Sequence, residues 1–158
     1  MKIMKFGGTS VGRPERMHQV KDLVTRGDEP TIVVLSALSG TTNGLVGIGE
    51  ALAAGDKDLA KTRIDALHAH YLTFYPALLK TAPAQAKAEA IIREHFEFLN
   101  ILLKISFNEA INRDILAQGE LLSTKLFYTL LEELEIPAVF LPALDFMSID
   151  ENSEPELG

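Results

Sequence analysis

Three short segments carry residue types that could do chemistry together. The first is Lys5-Phe6-Gly7-Gly8-Thr9-Ser10-Val11-Gly12. A strand-like run ends there, glycines let the backbone bend sharply, and a helix-compatible stretch begins. Amide N–H groups at such a junction point outward, and the helix dipole favours an anion. A phosphate fits that geometry, with the Lys5 ammonium at the strand end beside it. At about 4 Å and an effective dielectric of about 20, one such pair is worth roughly 4 kcal/mol before desolvation. A plain tight turn accounts for the same residues equally well. The segment is not a Walker A loop, because Arg13-Pro14 stands where Lys-Ser/Thr belongs, and it is not GxGxxG.

The second segment is Ser36-Ala37-Leu38-Ser39-Gly40-Thr41-Thr42-Asn43, where hydroxyls and an amide crowd the end of the strongest strand candidate. Ligands of open α/β sheets bind outside the carboxyl ends of the strands. A capped turn with Thr42 or Asn43 as N-cap is the structural alternative. The third segment is Gln118-Gly119-Glu120. Glu120 there either complements a helix dipole in a first turn or holds a substrate ammonium. The four histidines, His18, His68, His70 and His95, do not share metal-ligand spacing with acidic residues, which predicts structural or solvated roles. There is no cysteine, so thiol catalysis, disulfides and Cys-ligated metals are excluded.

The elements that must position these segments follow from the hydrophobic pattern. Lys2–Phe6 predicts a short strand, followed by a helix with Thr9 or Ser10 at its N-cap, Pro14 in its first turn and an end at Gly27. The β-branched run Thr31–Ser36 predicts a parallel strand buried on both faces. A helix from about Asn43 to Ala54 buries Leu45, Ile48 and Leu52. Residues 56–117 are expected to be helical, broken at Pro76 and Pro83, and to serve as a cap or interface. Another helix is expected to open at Gln118-Gly119-Glu120 and run to about Glu135, with Leu122, Leu126, Leu130 and Leu134 as its core stripe. Ala138–Leu141 predicts a third strand. The alternation implies an α/β sandwich with a mostly parallel sheet, and three strands are few for one.

Composition agrees with one ordinary globular domain: 158 residues, 47% hydrophobic and 23% charged. The net charge is −7, but the last 14 residues hold five acidic and no basic side chains, so the rest carries only −2. Neither part has the basic face that nucleic-acid binding requires. No apolar run approaches the ~18 residues of a membrane span, and the N-terminus lacks a signal-peptide core. A cytoplasmic protein is the expectation.

Taken together, the three segments resemble aspartate kinase, a member of the amino-acid kinase superfamily. Lys5–Gly12 (KFGGTSVG) looks like that family's opening signature, Ser36–Asn43 (SALSGTTN) its second motif, and Gln118–Thr124 (QGELLST) its third, in the same order. Gln118 departs from the Ser, His or Arg common at its position, and Ser148 from a common basic residue. The resemblance implies a three-layer α/β sandwich of the carbamate kinase-like type with a helical insertion at about 56–117. It also implies transfer of the γ-phosphoryl of MgATP to the side-chain carboxylate of L-aspartate, the first step toward lysine, threonine and methionine.

By the same resemblance Lys5 is catalytic and contacts the phosphates, with Gly7, Gly8 and Ser36 beside it. Thr42 and Glu120 match positions that bind aspartate. No tightly held protein-ligated metal is implied, and the whole enzyme is expected to form a homodimer or larger oligomer. The family continues well past Gly158. The resemblance therefore implies that residues 1–150 are the N-terminal part of a kinase domain and 151–158 an acidic connector, the piece alone being inactive. Two alternatives stand beside this: a related kinase acting on glutamate or a carbamate-like acid, and a non-catalytic interaction module using the helical region.

Overall fold

The computed structural model describes residues 1–27 and 29–146. In chain order the elements are β1 (Lys2–Phe6), α1 (Gly8–Val11), α2 (Pro14–Val24), β2 (Thr31–Leu35), α3 (Thr41–Ala53), α4 (Lys57–Leu78), α5 (Ala82–Leu102), α6 (Glu109–Glu133) and α7 (Ala143–Phe146). The strands pair in parallel, with Lys5 opposite Val34 and Phe6 opposite Leu35. The ladder runs one step past β2, where the Ser36 N–H donates to the Phe6 carbonyl at 3.0 Å.

The sheet has two unlike faces. Phe6, Val33 and Leu35 turn toward the helices and join the core. Ile3, Ile32 and Val34 are 69%, 39% and 44% exposed, so β2 is not buried on both faces as its composition predicts. A β-branched, all-apolar strand is the pattern of a sheet covered on each side. Among the described residues only one side has helices. The fold is thus an α/β arrangement holding one helical layer and a two-stranded part of the sheet.

That helical layer contains most of the core. Tyr71, Phe96, Ile64, Ile92, Leu99 and Leu126 are all at most 1% exposed and join α4, α5 and α6. Asp56 and Asn108 cap α4 and α6 by accepting from the Leu59 and Ile111 amides, both at 2.9 Å. α5 has no side-chain cap, but the turn that leads into it is held from outside. The Glu133 carboxylate, at the end of α6, accepts from the Lys80 and Thr81 amides at 2.7 and 2.6 Å.

Several boundaries differ from the expected ones. Pro76 lies in the last turn of α4 rather than before a break, and Pro83 sits in the first turn of α5, where its missing N–H costs no hydrogen bond. Thr9 and Ser10 are inside α1, whose N-cap is Gly7. A break at Gly12-Arg13 separates α1 from α2. Thr42 and Asn43 are inside α3, whose N-cap is Gly40 in the left-handed region at φ 84°. A Cβ is strained at that φ, so the residue there is glycine rather than a hydroxyl cap. Ala138–Leu141 forms no strand, and Val139 is 81% exposed. The largest correction concerns Gln118-Gly119-Glu120, which lie in the middle of the 25-residue α6. Ser148 and the acidic connector 151–158 lie outside the described residues.

Candidate active site

The carboxyl ends of β1 and β2 bring the first two motifs side by side. Lys5 projects from the exposed face of the sheet, opposite Val34. Its side chain makes no ion pair among the described residues. Directly after it the chain turns through Gly7 into α1.

The glycines of this motif divide by what surrounds them. A Cβ on Gly8 would stand 2.9 Å from the Ala37 carbonyl oxygen, and one on Gly12 would stand 2.5 Å from the Ser39 Cβ. Both glycines therefore let α1 lie directly on the loop after β2. Gly7 has nothing within 4 Å of its Cβ position, and its φ of −76° is one that any residue adopts. A strained turn therefore does not account for Gly7. What it offers is open space next to Lys5, bordered by the Gly8 and Thr9 amides, while the Ser10 amide is taken by the Gly7 carbonyl at 2.9 Å.

Ser36 sits at the strand end with its backbone fixed on both sides. Its N–H extends the ladder to Phe6, and its carbonyl accepts from the Ser123 hydroxyl at 2.7 Å. The neighbouring Ala37 is where the three motifs meet. Its carbonyl faces Gly8, its N–H donates to the Glu120 Oε1 at 3.3 Å, and its Cβ would lie 2.7 Å from a Cβ on Gly119.

This arrangement explains a glycine in the middle of α6. Glycine there costs about 1 kcal/mol against alanine. In return α6 approaches the loop closely enough for Glu120 to reach an amide on it. The dipole-capping explanation of Glu120 is removed, because Glu120 is three turns inside the helix. Its other carboxylate oxygen faces no described donor and has capacity for a further hydrogen bond. Thr42, in the first turn of α3, is exposed.

Behind these residues lies a layer of buried polar contacts that residue spacing does not reveal. Thr41, fully buried, bonds the Tyr71 hydroxyl at 3.1 Å. Burial pushes the Tyr71 hydroxyl up to about 12. The Thr41 hydrogen bond opposes that rise and the charge of Glu120 adds to it. Gln118 turns away from the site, accepting from the His95 Nδ1 at 2.6 Å and donating to the Asp114 carbonyl at 2.9 Å. Lys125 donates to the His95 Nε2 at 2.8 Å, which fixes the tautomer with the proton on Nδ1. Burial holds the His95 imidazole below its ordinary value, the Gln118 hydrogen bond opposes this, and Lys125 lowers it further. His95 and Gln118 are thus structural, as expected of the histidine. Gln118 takes a polar position in the core rather than one facing a ligand.

An open groove of about 520 Å³ runs between α3 and α4, lined by Ser39, Asn43, Arg63 and His70 among others. None of Lys5, Gly7, Gly8, Ser36, Thr42 and Glu120 lines it. Lys5, Gly7, Gly8 and Ser36 lie instead at or just beyond the ends of β1 and β2, Glu120 reaches the same loop from α6 through Ala37, and Thr42 stands in the first turn of α3. Among the described residues, no three His, Asp or Glu side chains are grouped to hold a metal ion. No described helix is long and apolar enough to cross a membrane.

Comparison with known proteins agrees with the fold. The model of the amino acid kinase family matches residues 1–157. Aspartokinase 3, chloroplastic, of Arabidopsis thaliana is 38% identical over 140 residues, covering 84% of this chain and 24% of that protein. Lysine-sensitive aspartokinase 3 of Escherichia coli is 27% identical over 158 residues, covering 98% of this chain and 34% of its own. The crystal structure of E. coli aspartokinase III in complex with aspartate and ADP superposes with a TM-score of 0.80 at 26% identity. The match covers 99% of this chain and 35% of that one. The chain thus spans between a quarter and about a third of the length of these relatives. Fold, motif order and family model agree, and the chain belongs to the amino acid kinase family.

Proposed function

We propose that the intact protein is an aspartate kinase, transferring the γ-phosphoryl group of ATP to the side-chain carboxylate of L-aspartate. The product is 4-phospho-L-aspartate, from which lysine, threonine and methionine are made. The observation that carries this is the convergence of three motifs on Ala37: Gly8 against its carbonyl, Glu120 on its amide, and Gly119 against its side chain. The similarity to aspartokinases over nearly the whole chain supports it.

A carboxylate is already a nucleophile, so this transfer needs no general base. The obstacle is bringing one anion against another, and catalysis is mostly positioning and charge neutralisation. Lys5 supplies the positive charge at the strand end. Gly7 leaves the space into which a phosphate fits, and the amides of the β1–α1 turn donate to it. Ser36 lines the same end. Glu120 holds the α-ammonium of aspartate through its free carboxylate oxygen, and Thr42 donates its hydroxyl to the substrate. Magnesium arrives with the nucleotide, and the remaining nucleotide contacts come from outside this segment. Residues 1–150 form the first part of the kinase domain and 151–158 lead onward. A cytoplasmic homo-oligomer is the expected form of the enzyme.

The test is acyl phosphate formation by the intact protein, trapped as hydroxamate, across aspartate, glutamate and carbamate-like acids. Aspartate should give product only with ATP, and at least tenfold more than the others. Product with glutamate alone would move the assignment to another amino-acid kinase. No product with any acid would favour a non-catalytic module.

A further inference from the structure

The helical region reaches the start of α3 through a buried side chain, Tyr71, that its sequence gives no reason to single out. Thr41 is the first residue of α3 and is followed directly by Thr42. Its amide closes the preceding turn by donating to the Leu38 carbonyl at 3.0 Å. Its side chain has two contacts in opposite directions. The hydroxyl lies 3.1 Å from the Tyr71 hydroxyl on α4, and the methyl group lies 3.3 Å from where a Cβ on Gly119 would stand, on α6. Thr41 and Tyr71 are both fully buried. One residue thus ties together the start of α3, the middle of α4 and the turn of α6 that carries Glu120.

We propose that Tyr71 is a positioning residue of the aspartate subsite: its hydroxyl, bonded to Thr41, sets where Thr42 stands relative to Glu120. The proposal rests on the aspartate kinase assignment. Its physical ground is the chemistry of the pair. A Val/Phe pair of the same shape would fill this space without desolvating two hydroxyls, and such exchanges are nearly neutral for stability. What the hydroxyl pair adds over the apolar one is direction. It fixes the rotamer of Thr41 and the rotation of α3 about its axis. Tyr71 is itself held, its ring packing against Phe96 with centroids 5.7 Å apart. Its hydroxyl remains protonated because burial and the Glu120 charge both raise it.

The experiment compares the wild-type intact protein, Tyr71→Phe and the double variant Thr41→Val/Tyr71→Phe in steady-state kinetics and urea unfolding. Tyr71→Phe should raise the aspartate KM about fivefold to tenfold, the effect of one hydrogen bond, leaving the ATP KM and kcat within about twofold. The double variant should recover the unfolding midpoint, since neither hydroxyl is left unpaired, while its aspartate KM stays raised. An unchanged aspartate KM in Tyr71→Phe overturns the proposal. A double variant that recovers KM together with the midpoint also overturns it, because the effect would then be one of stability alone. A wild-type protein that does not phosphorylate aspartate overturns the functional assignment, and this proposal with it. An active wild type with a normal Tyr71→Phe overturns this proposal only.

Discussion

Replacing Gly119 by alanine sets two opposed effects against each other. Alanine is the better helix former by about 1 kcal/mol, so in an open helix the substitution stabilises. In α6 the new methyl would stand 2.7 Å from the Ala37 Cβ, 3.2 Å from a Leu45 methyl and 3.3 Å from the Thr41 methyl. The nearest of these is fixed to backbone, so the helix and the loop must separate. Overpacking of that kind costs about 1–3 kcal/mol, which outweighs the helix-propensity gain and leaves a net loss of about 1 kcal/mol. Gly44 in α3 is the control. A Cβ there meets only Leu67 methyls at 3.5 and 3.7 Å, ordinary contacts. Gly44→Ala should stabilise by about 0.5–1 kcal/mol.

The two variants should therefore differ by about 2 kcal/mol, or close to 1 M in urea midpoint at a slope of about 2 kcal/mol/M. Equilibrium urea unfolding of the intact protein, followed by far-ultraviolet circular dichroism, reads this difference. Gly119→Ala should also raise the aspartate KM, because separation of α6 from the loop lengthens the Ala37–Glu120 hydrogen bond, already 3.3 Å. A Gly119→Ala protein as stable as the wild type or more so would refute the close approach on which the site depends.

Other substitutions test other parts of the account. Glu120→Gln keeps the side chain's length and removes its charge, so the aspartate KM should rise about tenfold or more with the ATP KM unchanged, as steady-state kinetics would read. Glu133 holds the turn before α5 by accepting from the Lys80 and Thr81 amides, and Glu133→Ala should cost about 1 kcal/mol in urea unfolding at neutral pH. Burial pulls the Glu133 carboxyl upward, but the hydrogen bonds from Thr81 and Lys80 outweigh it and hold it below the ordinary 4.5. With the folded value depressed, the contribution of these hydrogen bonds is full above 4.5 and disappears as pH falls through the folded value, so wild type and variant should converge in acid. His95 has the opposite chemistry and the same direction. Its folded value lies below the ordinary 6.5, so the unfolded chain takes up the proton first and stability erodes as pH falls below 6.5. His95→Gln should flatten the slope of unfolding free energy between about pH 7 and about pH 5.

The sequence made β1, β2 and the buried faces of α3 and α6 legible because hydrophobic period and residue type act locally. Leu122, Leu126 and Leu130 are buried as their spacing predicts, while Leu134 is exposed because the helix ends one residue before it. Gln118-Gly119-Glu120 misled for a physical reason. Glycine before glutamate is the composition of a helix start, and only the position of Ala37, distant in sequence, explains a glycine in mid-helix. Likewise, the strand expected at Ala138–Leu141 had the apolar character but no described neighbour to pair with. The six candidate residues came from motif resemblance rather than from hydrophobic pattern. Ala37 and Thr41 lie within the second motif, but their contacts with Glu120 and Tyr71 were not legible, and Tyr71 itself carries no chemical signal until the chain is folded.

The central claim is that the β1–α1 junction handles the transferred phosphoryl group, and Lys5 is its most exposed dependency. Lys5 is surface-exposed and makes no described ion pair, so its removal should leave folding intact. The decisive measurement is kcat for aspartate-dependent ADP formation by the intact protein with Lys5→Ala, alongside its urea midpoint. Loss of transition-state charge stabilisation predicts a fall in kcat of about a hundredfold or more at an unchanged midpoint. A Lys5→Ala protein that keeps kcat within about tenfold of wild type would contradict the account, because the motif's only lysine would then contribute little to the reaction.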